Sequence, residues 1–494
     1  MQITDRQFES HALPLLSGLI REQRWFGSKS KKTEGAALED FSYFEFGGSC
    51  FVLPVVHLTY DDGSGETYFI PLRCSEAAHD TGAKLSFSVH EEELDMHFSD
   101  ALFSRTFIQA LLSFMEGNTV IDFVRGRAEA HSSSVHGSLE EAAKEQMRVV
   151  SSEQSNTSVI AGRKVIYKSY RKLEHGINPD FEIPEFLSEH TSFRSFPRPL
   201  GRLEHRNEGN RVLGVLSEFV ENEGDCWTYF TGRLNAFLTG HDGSASCLEL
   251  IPALAGVTSS MHNALSTATE PAFLPSAVTE EDTSRWMKNF ESLLHSTCAT
   301  LQRALDGLTG EDRRLAELFL DEEERLSSAG SSLSILCDEH VSMTRIHGDY
   351  HLGQILKSGS SFYVIDFEGE PMRTLEERRQ LNCPLKDVSG MIRSLDYAIS
   401  AAAISAGVPS TDEAAVLWKA SAAKSFMVKY WEDYSPSMPY LPSRFADMTD
   451  VLDFFLIEKT VYELDYELNN RPDWIHIPLS ALAGRSAPRL NRPQ

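Results

Sequence analysis

Two apolar, strand-like runs, each of which delivers an aspartate to a turn, constrain this chain more than any other feature. The first lies within residues 345–356, Arg-Ile-His-Gly-Asp-Tyr-His-Leu-Gly-Gln-Ile-Leu, and the second within 362–371, Phe-Tyr-Val-Ile-Asp-Phe-Glu-Gly-Glu-Pro. Their aspartates, Asp349 and Asp366, stand seventeen positions apart, and Ser358-Gly-Ser-Ser361 between the runs is a hairpin-turn sequence. Aspartates beside strands commonly only end the strand or cap the turn, so their spacing and neighbours must decide whether these two carry chemistry.

The spacing is typical of protein kinases and their relatives. In those enzymes one aspartate takes or orients the proton of the attacking hydroxyl, and the second holds Mg²⁺ against the nucleotide phosphates. Gln354 follows Asp349 by five positions, where the kinase catalytic loop carries its second metal-binding side chain. We therefore predict an ATP-dependent phosphotransferase with Asp349 as catalytic base and with Gln354 and Asp366 as Mg²⁺ ligands.

Two histidines in the first run, His347 and His351, stand four positions apart, as a pair of metal ligands on a helix would. Gly348 and Gly353 and the strand-like surroundings argue against a helix at this point. A structural role is therefore expected for both histidines.

The charge and cysteine content exclude several classes of function. The balance of 46 Lys and Arg against 72 Asp and Glu gives a net charge of −26, which repels phosphate backbones and anionic lipids, so no nucleic-acid or membrane partner is expected. The seven cysteines include no C-x-x-C pair, so neither a zinc ribbon nor a disulfide framework is indicated. The first residues lack a signal-peptide pattern and no run approaches the ~20 apolar residues of a membrane helix, so a cytoplasmic protein is expected.

A second informative block begins at Met147, where the hydrophobic periodicity changes to two. Two strands joined by a tight turn are predicted, and four small polar residues lie on a polar bend of this block. Hydroxyl and amide side chains and backbone N–H groups at such a bend are suited to hydrogen-bond phosphate oxygens. These residues are Ser155, Asn156, Thr157 and Ser158. They are the predicted phosphate loop.

Lys168 lies on the returning strand of this block. Kinases place there a lysine that binds the α and β phosphates and is held by a glutamate of the following helix. Glu182 and Glu185 both qualify as that partner, and Glu182 is preferred because Pro184 is expected to begin the helix nearby. An exposed strand lysine is the ordinary alternative, and the downstream aspartates in kinase order favour the phosphate role.

The order of strand-type and helix-type runs along the chain predicts an α+β fold, with a small α+β unit at the N-terminus and a mostly helical C-terminal part. The predicted parts are a cap subdomain with an antiparallel sheet over 1–90, a helical and connective intermediate subdomain over 91–146, a kinase-like N-lobe over 147–220 and a C-lobe with the catalytic loop over 221–494. Helices of the C-lobe are predicted over 246–266, 280–306, 311–328, 411–434 and 444–469. The N-lobe ends in a strand and a polar crossover, where an adenine would meet the backbone of Glu218, Phe219 and Val220.

The catalytic stretch resembles the maltokinase family, relatives of the aminoglycoside phosphotransferases that also occur fused to trehalose synthase. The resemblance lies first in His347-Gly-Asp-Tyr-His-Leu-Gly-Gln354 and Ile365-Asp-Phe-Glu-Gly-Glu-Pro371. It continues in order along nearly the whole chain, through residues 23–27, 154–158, 176–180, 222–225, 384–388, 393–397 and 466–474.

This resemblance implies a bilobal protein-kinase-like fold with an N-terminal α+β cap and a mostly helical C-lobe. It also implies transfer of the ATP γ-phosphoryl group to the anomeric hydroxyl of maltose. The product would be maltose 1-phosphate, which would enter α-glucan and trehalose metabolism. The resemblance also implies an association with trehalose synthase. Sugar selection requires hydrogen-bonding groups around a ring face, often with an aromatic platform. The candidate sugar contacts are His351, Glu368, Glu463, Tyr466, Asn470, Arg471 and Trp474. Packing of a helix face and its end explains the last five of these equally well.

Two other functions remain open at this point. An aminosugar kinase, such as one for glucosamine, would share the ATP machinery and use extra carboxylates to favour an ammonium group, and Glu368, Glu370 and Asp396 suit either acceptor. A catalytically silent kinase-like module that regulates glycogen or trehalose enzymes would belong to a different class. The presence of Lys168 together with both aspartates argues against that module.

Overall fold

The computed structural model describes residues 3–78, 82–132, 138–150, 155–240, 246–409, 411–435 and 439–483. Backbone contacts divide the chain into two compact units, one formed by residues 1–188 and 197–221 and the other by residues 189–196 and 222–494. Strands predominate in the first unit and helices in the second. The predicted α+β class, with a mostly helical C-terminal part, is confirmed.

The strands of the first unit form two antiparallel sheets. In chain order they are β1 (Thr33–Phe46), β2 (Ser49–Tyr60), β3 (Gly65–Phe69), β4 (Leu72–Ser75), β5 (Ser86–Glu91), β6 (Leu94–Asp100), β7 (Val120–Asp122), β8 (Arg127–Ser132), β9 (Met147–Val149), β10 (Asn156–Ala161), β11 (Val165–Tyr170), β12 (Lys172–Leu173), β13 (Pro199–Arg206) and β14 (Asn210–Glu218). The first sheet has the order β12-β3-β2-β4-β6-β5, with β1 paired to β2, and the second has the order β7-β8-β13-β14-β11-β10-β9. The chain therefore passes from the second sheet into the first between β11 and β12.

Helices of the first unit cover these sheets. They are α1 (Asp5–Gln7), α2 (Leu13–Ile20), α3 (Arg105–Glu116), α4 (Ser138–Lys144) and α5 (Pro179–His190), and a π-helical turn over Phe8–Ala12 joins α1 to α2. The strand β2 is apolar almost throughout because both of its faces are buried. Val52 and Val56 belong to the cluster that contains Leu16 of α2, whereas Leu53 belongs to the cluster that contains Phe107 of α3.

The structure differs in part from the helical and connective segment expected over 91–146. The helix α3 contains much of the predicted apolar run, but β6 to β8 and part of β5 also lie in this region. The buried residues of β6 include Leu94, Met96 and Phe98, which alternate with more exposed neighbours, so the period is that of a strand. A second difference concerns Pro184, which lies inside α5 and does not begin it, because the helix starts at Pro179.

The second unit is built mainly from helices. They are α6 (Cys226–Leu238), α7 (Ile251–Ser266), α8 (Glu280–Ala304), α9 (Gly310–Asp321), α10 (Glu323–Ser327), α11 (Ser334–Asp338), α12 (Leu375–Arg378), α13 (Leu385–Ala406), α14 (Glu413–Glu432), α15 (Phe445–Asn470) and α16 (His476–Ala483). Its strands are β15 (Ser276–Ala277), β16 (Ser342–Met343), β17 (Ile355–Ser358) and β18 (Ser361–Val364). The five helices predicted from periodicity are present, although the segment 311–328 is divided between α9 and α10.

Local signals set several of these helix ends. Thr279 and Asp282 form a capping box at the start of α8, and Asp412 accepts backbone N–H groups at the start of α14. The helix α13 ends at Gly407, whose φ of +68° favours glycine. Within the described part of the chain, no helix has the length and apolarity needed to cross a membrane.

Candidate active site

The loop that carries Asp349 is held by a buried carboxylate. Asp387, in the first turn of α13, is 2% exposed and accepts the backbone N–H of His347 at 2.8 Å and that of Gly348 at 3.0 Å. Its carboxylate also lies 3.0 Å from Nε2 of His262 on α7. Because the two backbone donors immediately precede Asp349, this carboxylate fixes the direction in which the Asp349 side chain leaves the loop.

His347 connects this loop to the chain next to the second aspartate. Its Nδ1 accepts the backbone N–H of Asp349 at 3.3 Å, so its Nε2 carries the proton and donates to the carbonyl oxygen of Ile365 at 2.9 Å. The imidazole ring also lies 5.1 Å from the ring of Phe367. This geometry agrees with the structural role expected for His347.

Asp349 remains ionised although its side chain is only 25% exposed. Burial alone would raise the pKa of Asp349, but His351, with Nε2 3.7 Å from the carboxylate, and the positive charge of Lys459 bring it down to about 2. Nδ1 of His351 accepts the backbone N–H of Gly353 at 3.0 Å, which orients the ring. A carboxylate that is ionised at neutral pH can accept a hydrogen bond from an acceptor hydroxyl and direct its proton.

The hairpin of β17 and β18 brings the two predicted metal ligands together. Its register pairs Ile355 with Val364, so Gln354 and Asp366 flank the same end, and Nε2 of Gln354 donates to Oδ2 of Asp366 at 2.8 Å. Asp366 has a φ of +64°, a conformation that is uncommon for a residue with a side chain and is enriched at functional sites. A carboxylate and an amide carbonyl are oxygen ligands of the kind that Mg²⁺ prefers, so this pair fits the ion.

The turn after Asp366 places two glutamates beside arginines. Oε1 of Glu368 lies 3.8 Å from Nη1 of Arg378, and the backbone carbonyl of Glu368 accepts that Nη1 at 3.2 Å. Oε2 of Glu370 accepts Nε of Arg373 at 2.8 Å. Both carboxylates therefore have cationic neighbours on the protein. A sugar contact of Glu368 remains a prediction.

Two residues of α15 interact electrostatically with Asp349 or with a neighbour of it. Lys459 helps to lower the pKa of Asp349, as described above. Tyr462, one turn further along the helix, has a raised pKa, and the causes are burial first, then Glu370, with a smaller contribution from Asp349. Residues three apart share a helix face, and Nζ of Lys459 lies 4.6 Å from the centre of the Tyr462 ring.

Glu463, a predicted sugar contact, belongs to a buried cluster of charges. Oε2 of Glu463 accepts Nε of Arg393 at 2.7 Å, and Arg393 also donates to Asp396, which accepts Nζ of Lys419 at 2.7 Å. Burial raises the pKa of Glu463 although the Arg393 charge opposes that rise. The cluster ties α15 to α13, and a further contact of Glu463 with a sugar remains a prediction.

The other predicted sugar contacts lie together at the end of α15. Arg471 donates to Glu467 at 2.9 and 2.7 Å, and its guanidinium lies 5.4 Å from the ring of Tyr466 and 5.1 Å from that of Trp474. Tyr466 is 45% exposed, and Nδ2 of Asn470 donates to its carbonyl at 2.9 Å. This stack packs the helix end and also presents aromatic surface. The structure therefore brings the four residues together, and their contact with a sugar remains a prediction.

In the first unit, Lys168 pairs with an aspartate that the sequence analysis did not single out. Nζ of Lys168 lies 2.7 Å from Oδ2 of Asp180 in the first turn of α5, and the Tyr170 hydroxyl donates to the same oxygen at 2.7 Å. The helix begins at Pro179, five residues before the expected start, so Asp180 occupies its first turn. Pairing of Lys168 with Glu182 remains a prediction.

A second acidic residue of α5 also has a defined partner. Glu185, the second candidate for the lysine, lies 3.0 Å from Nη1 of Arg202 on β13. The same guanidinium also donates to Glu204 through Nε at 2.6 Å. Glu185 therefore takes part in a charge cluster with β13.

The predicted phosphate loop is a strand for most of its length. Residues 156–158 form the start of β10, and residues 151–154 of the preceding connection lie outside the described residues. The cross-strand register pairs Ser158 with Lys168 and Thr157 with Ser169, so Asn156 and Ser158 share the face of Lys168 and Thr157 points to the opposite face. Ser155 directly precedes the strand. Nucleotide binding by all four residues remains a prediction.

The expected hinge follows β14. Glu218 N–H donates to the carbonyl of Arg198 at 2.9 Å, and Phe219 N–H donates to that of Lys164 at 2.8 Å. These two donors are engaged within the protein, so an adenine would have to use other backbone groups of the segment. The adenine contacts of Glu218, Phe219 and Val220 remain predictions.

Comparison with known proteins gives curated relatives but no matching family model. A glucosamine kinase from Mycolicibacterium smegmatis is 23% identical over 339 residues, which cover 68% of this chain and 78% of the relative. A glucosamine kinase from Streptacidiphilus jiangxiensis is 25% identical over 349 residues, which cover 68% of this chain and 73% of the relative. The chain is thus similar to sugar kinases over about two thirds of its length.

Solved structures of glucosamine kinase have the same fold. One, in complex with glucosamine, ADP and inorganic phosphate, has a TM-score of 0.63 at 19% identity and covers 92% of this chain and 94% of that chain. A second structure, crystal form B of glucosamine kinase, has a TM-score of 0.66 at 19% identity. It covers 95% of this chain and 99% of that chain. The chain has this kinase fold.

These comparisons support a phosphotransferase with a hydroxyl acceptor and a sugar substrate, and the expectation of ATP with Mg²⁺ agrees with them. They do not support maltose as the substrate, membership of the maltokinase family or an association with trehalose synthase. They favour glucosamine, the alternative that the sequence left open.

Several residues with clear positions in the structure were not identified from the sequence. They are Asp180, Asp387, Lys459, Tyr462 and Glu467. Asp180 and Asp387 lie inside segments that carry the family resemblance, 176–180 and 384–388, to which no role had been given. Lys459 and Tyr462 each lie one helical turn before a predicted sugar contact, so helix periodicity was the signal that could have found them.

Proposed function

We propose that this protein is an ATP-dependent aminosugar kinase with glucosamine as its acceptor. The observation that carries the proposal is the position of Asp349 on a loop held by Asp387 and joined through His347 to a hairpin end, where Gln354 and Asp366 form an oxygen-ligand pair. Phosphoryl transfer depends on positioning and charge neutralisation more than on covalent chemistry, so this set of groups is sufficient for the reaction class.

Each residue has a separate task in the proposed reaction. Asp349 accepts a hydrogen bond from the acceptor hydroxyl and directs its proton, while Asp387 and His347 keep the loop in place. Gln354 and Asp366 would hold Mg²⁺, which when bound neutralises the phosphate charge. Lys168, held by Asp180, would bind phosphate oxygens of the nucleotide.

The acceptor would lie between the catalytic loop and the adjacent face of α15. Tyr462 and Lys459 supply hydrogen-bonding groups beside Asp349, and Tyr466 and Trp474 supply aromatic surface further along. The glucosamine assignment rests on the named relatives and on the many carboxylates of this chain, whose net charge is −26. An ammonium group is attracted by such a surface, whereas maltose carries no charge.

The subdomain limits predicted from the sequence are part of this proposal. They comprise the cap over 1–90, the intermediate subdomain over 91–146, the N-lobe over 147–220 and the C-lobe over 221–494. Limited proteolysis followed by mass determination would test them, with cleavage expected near these limits. Cleavage confined to other sites would contradict the division.

A coupled ADP-release assay with a matched set of acceptors tests the function. Glucosamine, glucose and N-acetylglucosamine differ at one ring carbon, so glucosamine should give the highest kcat/KM, and the two uncharged sugars should be poorer acceptors. Maltose and an aminoglycoside complete the set. A preference for maltose would overturn the glucosamine assignment. ADP release that no sugar stimulates, with nucleotide binding intact, would favour the kinase-like binding module.

A further inference from the structure

Arg171 stands at the point where the chain passes from the second sheet of the first unit into the first. It lies between β11, which carries Lys168, and β12, whose residues Lys172 and Leu173 pair with β3. Its backbone carbonyl accepts the N–H of Phe69 at 2.8 Å, so the main chain is anchored there as well. This residue therefore belongs structurally to both sheets.

The Arg171 side chain is fully buried, and three of its contacts join it to neighbouring elements. Nε donates to Oγ1 of Thr157 at 3.0 Å, Nη2 forms an ion pair with Asp100 at the end of β6, and the guanidinium lies 5.2 Å from the centre of the Trp25 ring. Trp25 belongs to the segment 23–27 that carries the family resemblance and has no role in the reaction described above. Two of the contacts thus come from the N-terminal part of the unit and one from β10.

The contact with Thr157 bears on the nucleotide site because of the strand geometry. Thr157 lies between Asn156 and Ser158, whose side chains share the face of Lys168. Successive residues of a strand point to opposite faces, so a hydroxyl held on one face fixes the orientation of its neighbours on the other. The Ser158 side chain is 1% exposed, which leaves it little freedom to compensate for a shift of the strand.

We propose that Arg171 is a positioning residue for the nucleotide site, through which Trp25 and Asp100 hold β10 in the register that phosphate binding requires. The proposal rests on the kinase function proposed above and assigns a task to the N-terminal sheet. It also gives Thr157 an internal role, in which its hydroxyl serves Arg171 and does not contact a phosphate.

Direct measurement of MgADP affinity tests the proposal without any sugar. The variant Arg171→Met should raise the Kd for MgADP about tenfold, the effect of losing one charged hydrogen bond that orients a binding strand, while the KM for glucosamine stays unchanged. The matched control is Arg211→Met. Arg211 is 6% exposed and joins Glu39 of β1 to β14, so its loss should lower stability without changing the Kd of the folded fraction.

A double-mutant cycle separates the two roles of Thr157. If its hydroxyl acts through Arg171, Thr157→Val and Arg171→Met should raise the Kd by similar factors, and the double variant should show no further increase. Thr157→Ser, which keeps the hydroxyl, should bind MgADP as the wild type does. If the Kd of the double variant instead rises by the product of the two single-variant factors, Thr157 contacts phosphate directly and the proposal is overturned.

A milder variant covers the case in which Arg171→Met does not fold. Trp25→Leu removes the aromatic ring that contacts Arg171 and leaves Arg171 itself in place. This variant should bind MgADP more weakly than the wild type, whereas Trp25→Phe should keep most of the wild-type affinity. Equal Kd values for Trp25→Leu and the wild type, or an equal increase for Arg211→Met, would overturn the proposal. Failure of the glucosamine assignment would instead appear as intact MgADP binding without turnover of that sugar.

Discussion

Replacement of Asp387 by asparagine is the sharpest test of how the catalytic loop is held. The carboxylate receives two backbone N–H groups, from His347 and Gly348, and lies against His262. Asparagine keeps one acceptor oxygen and turns an amide NH₂ towards at least one of these donors. At least one hydrogen bond to a charged group is lost and one buried donor is left unsatisfied.

The expected cost follows from these contacts. A hydrogen bond to a charged group contributes about 1.5–3 kcal/mol, and an unsatisfied buried donor costs about 1–3 kcal/mol. We expect Asp387→Asn to lower the free energy of unfolding by about 2–4 kcal/mol, after allowing for partial relaxation. Because Gly348 directly precedes Asp349, kcat should fall by about a hundredfold as the base loses its alignment.

Urea denaturation followed by tryptophan fluorescence, together with kcat measured on the folded fraction, would check both values. Asp321→Asn is the matched control, because Asp321 is exposed at the end of α9 and should change neither stability nor kcat. Nucleotide affinity should also be unchanged in Asp387→Asn. Wild-type stability and kcat in this variant would refute the proposed support of the catalytic loop.

The remaining predictions concern the two charged groups with defined partners. The pKa of Asp349 is lowered to about 2, so its carboxylate is ionised over the working range and the acid limb of kcat in the wild type should not come from it. In His351→Asn the largest of the interactions that lower the pKa of Asp349 is lost, so this pKa rises, and the acid-side fall of kcat should move to a higher pH than in the wild type. An unchanged pH profile would contradict this. Lys168→Met should raise the KM for ATP by about tenfold or more through loss of a charged contact, and Lys172→Met, which removes an exposed lysine paired with Glu66, should not. Equal effects of both lysine variants would exclude a specific role of Lys168.

The sequence was most informative where the functional residues are close along the chain. Asp349, Gln354 and Asp366 lie on one loop and one short hairpin, so their spacing in the sequence nearly determines their separation in space. The α+β class and the long C-terminal helices followed from periodicity and end signals in the same way. These are the parts of the fold and site that local patterns decide.

Residues that act across long sequence separations could not be predicted in this way. Asp387 holds a loop forty positions earlier, and no local pattern shows that its carboxylate turns inward. Asp180 was missed because a glutamate was expected as the partner of Lys168 and because the helix was expected to begin at Pro184. Tertiary packing, which decides both contacts, is not encoded in the spacing of neighbouring residues.

The acceptor was the other point that the sequence left open. The motifs predicted to bind nucleotide and metal are shared by many phosphotransferases, so they do not distinguish maltose from glucosamine. The groups that we propose to face an acceptor, such as Tyr462 and Lys459, lie on a helix far from the catalytic motifs along the chain. The named relatives, and not the motifs, therefore favour glucosamine.

The most direct test of the central claim is the mass of the product formed from glucosamine. Wild-type protein with ATP, Mg²⁺ and glucosamine should yield glucosamine that carries one phosphoryl group, with one ADP released for each. Asp349→Asn should bind MgADP as the wild type does and form no such product. Phosphorylated glucosamine produced by Asp349→Asn at the wild-type rate, or none produced by the wild type, would contradict the account.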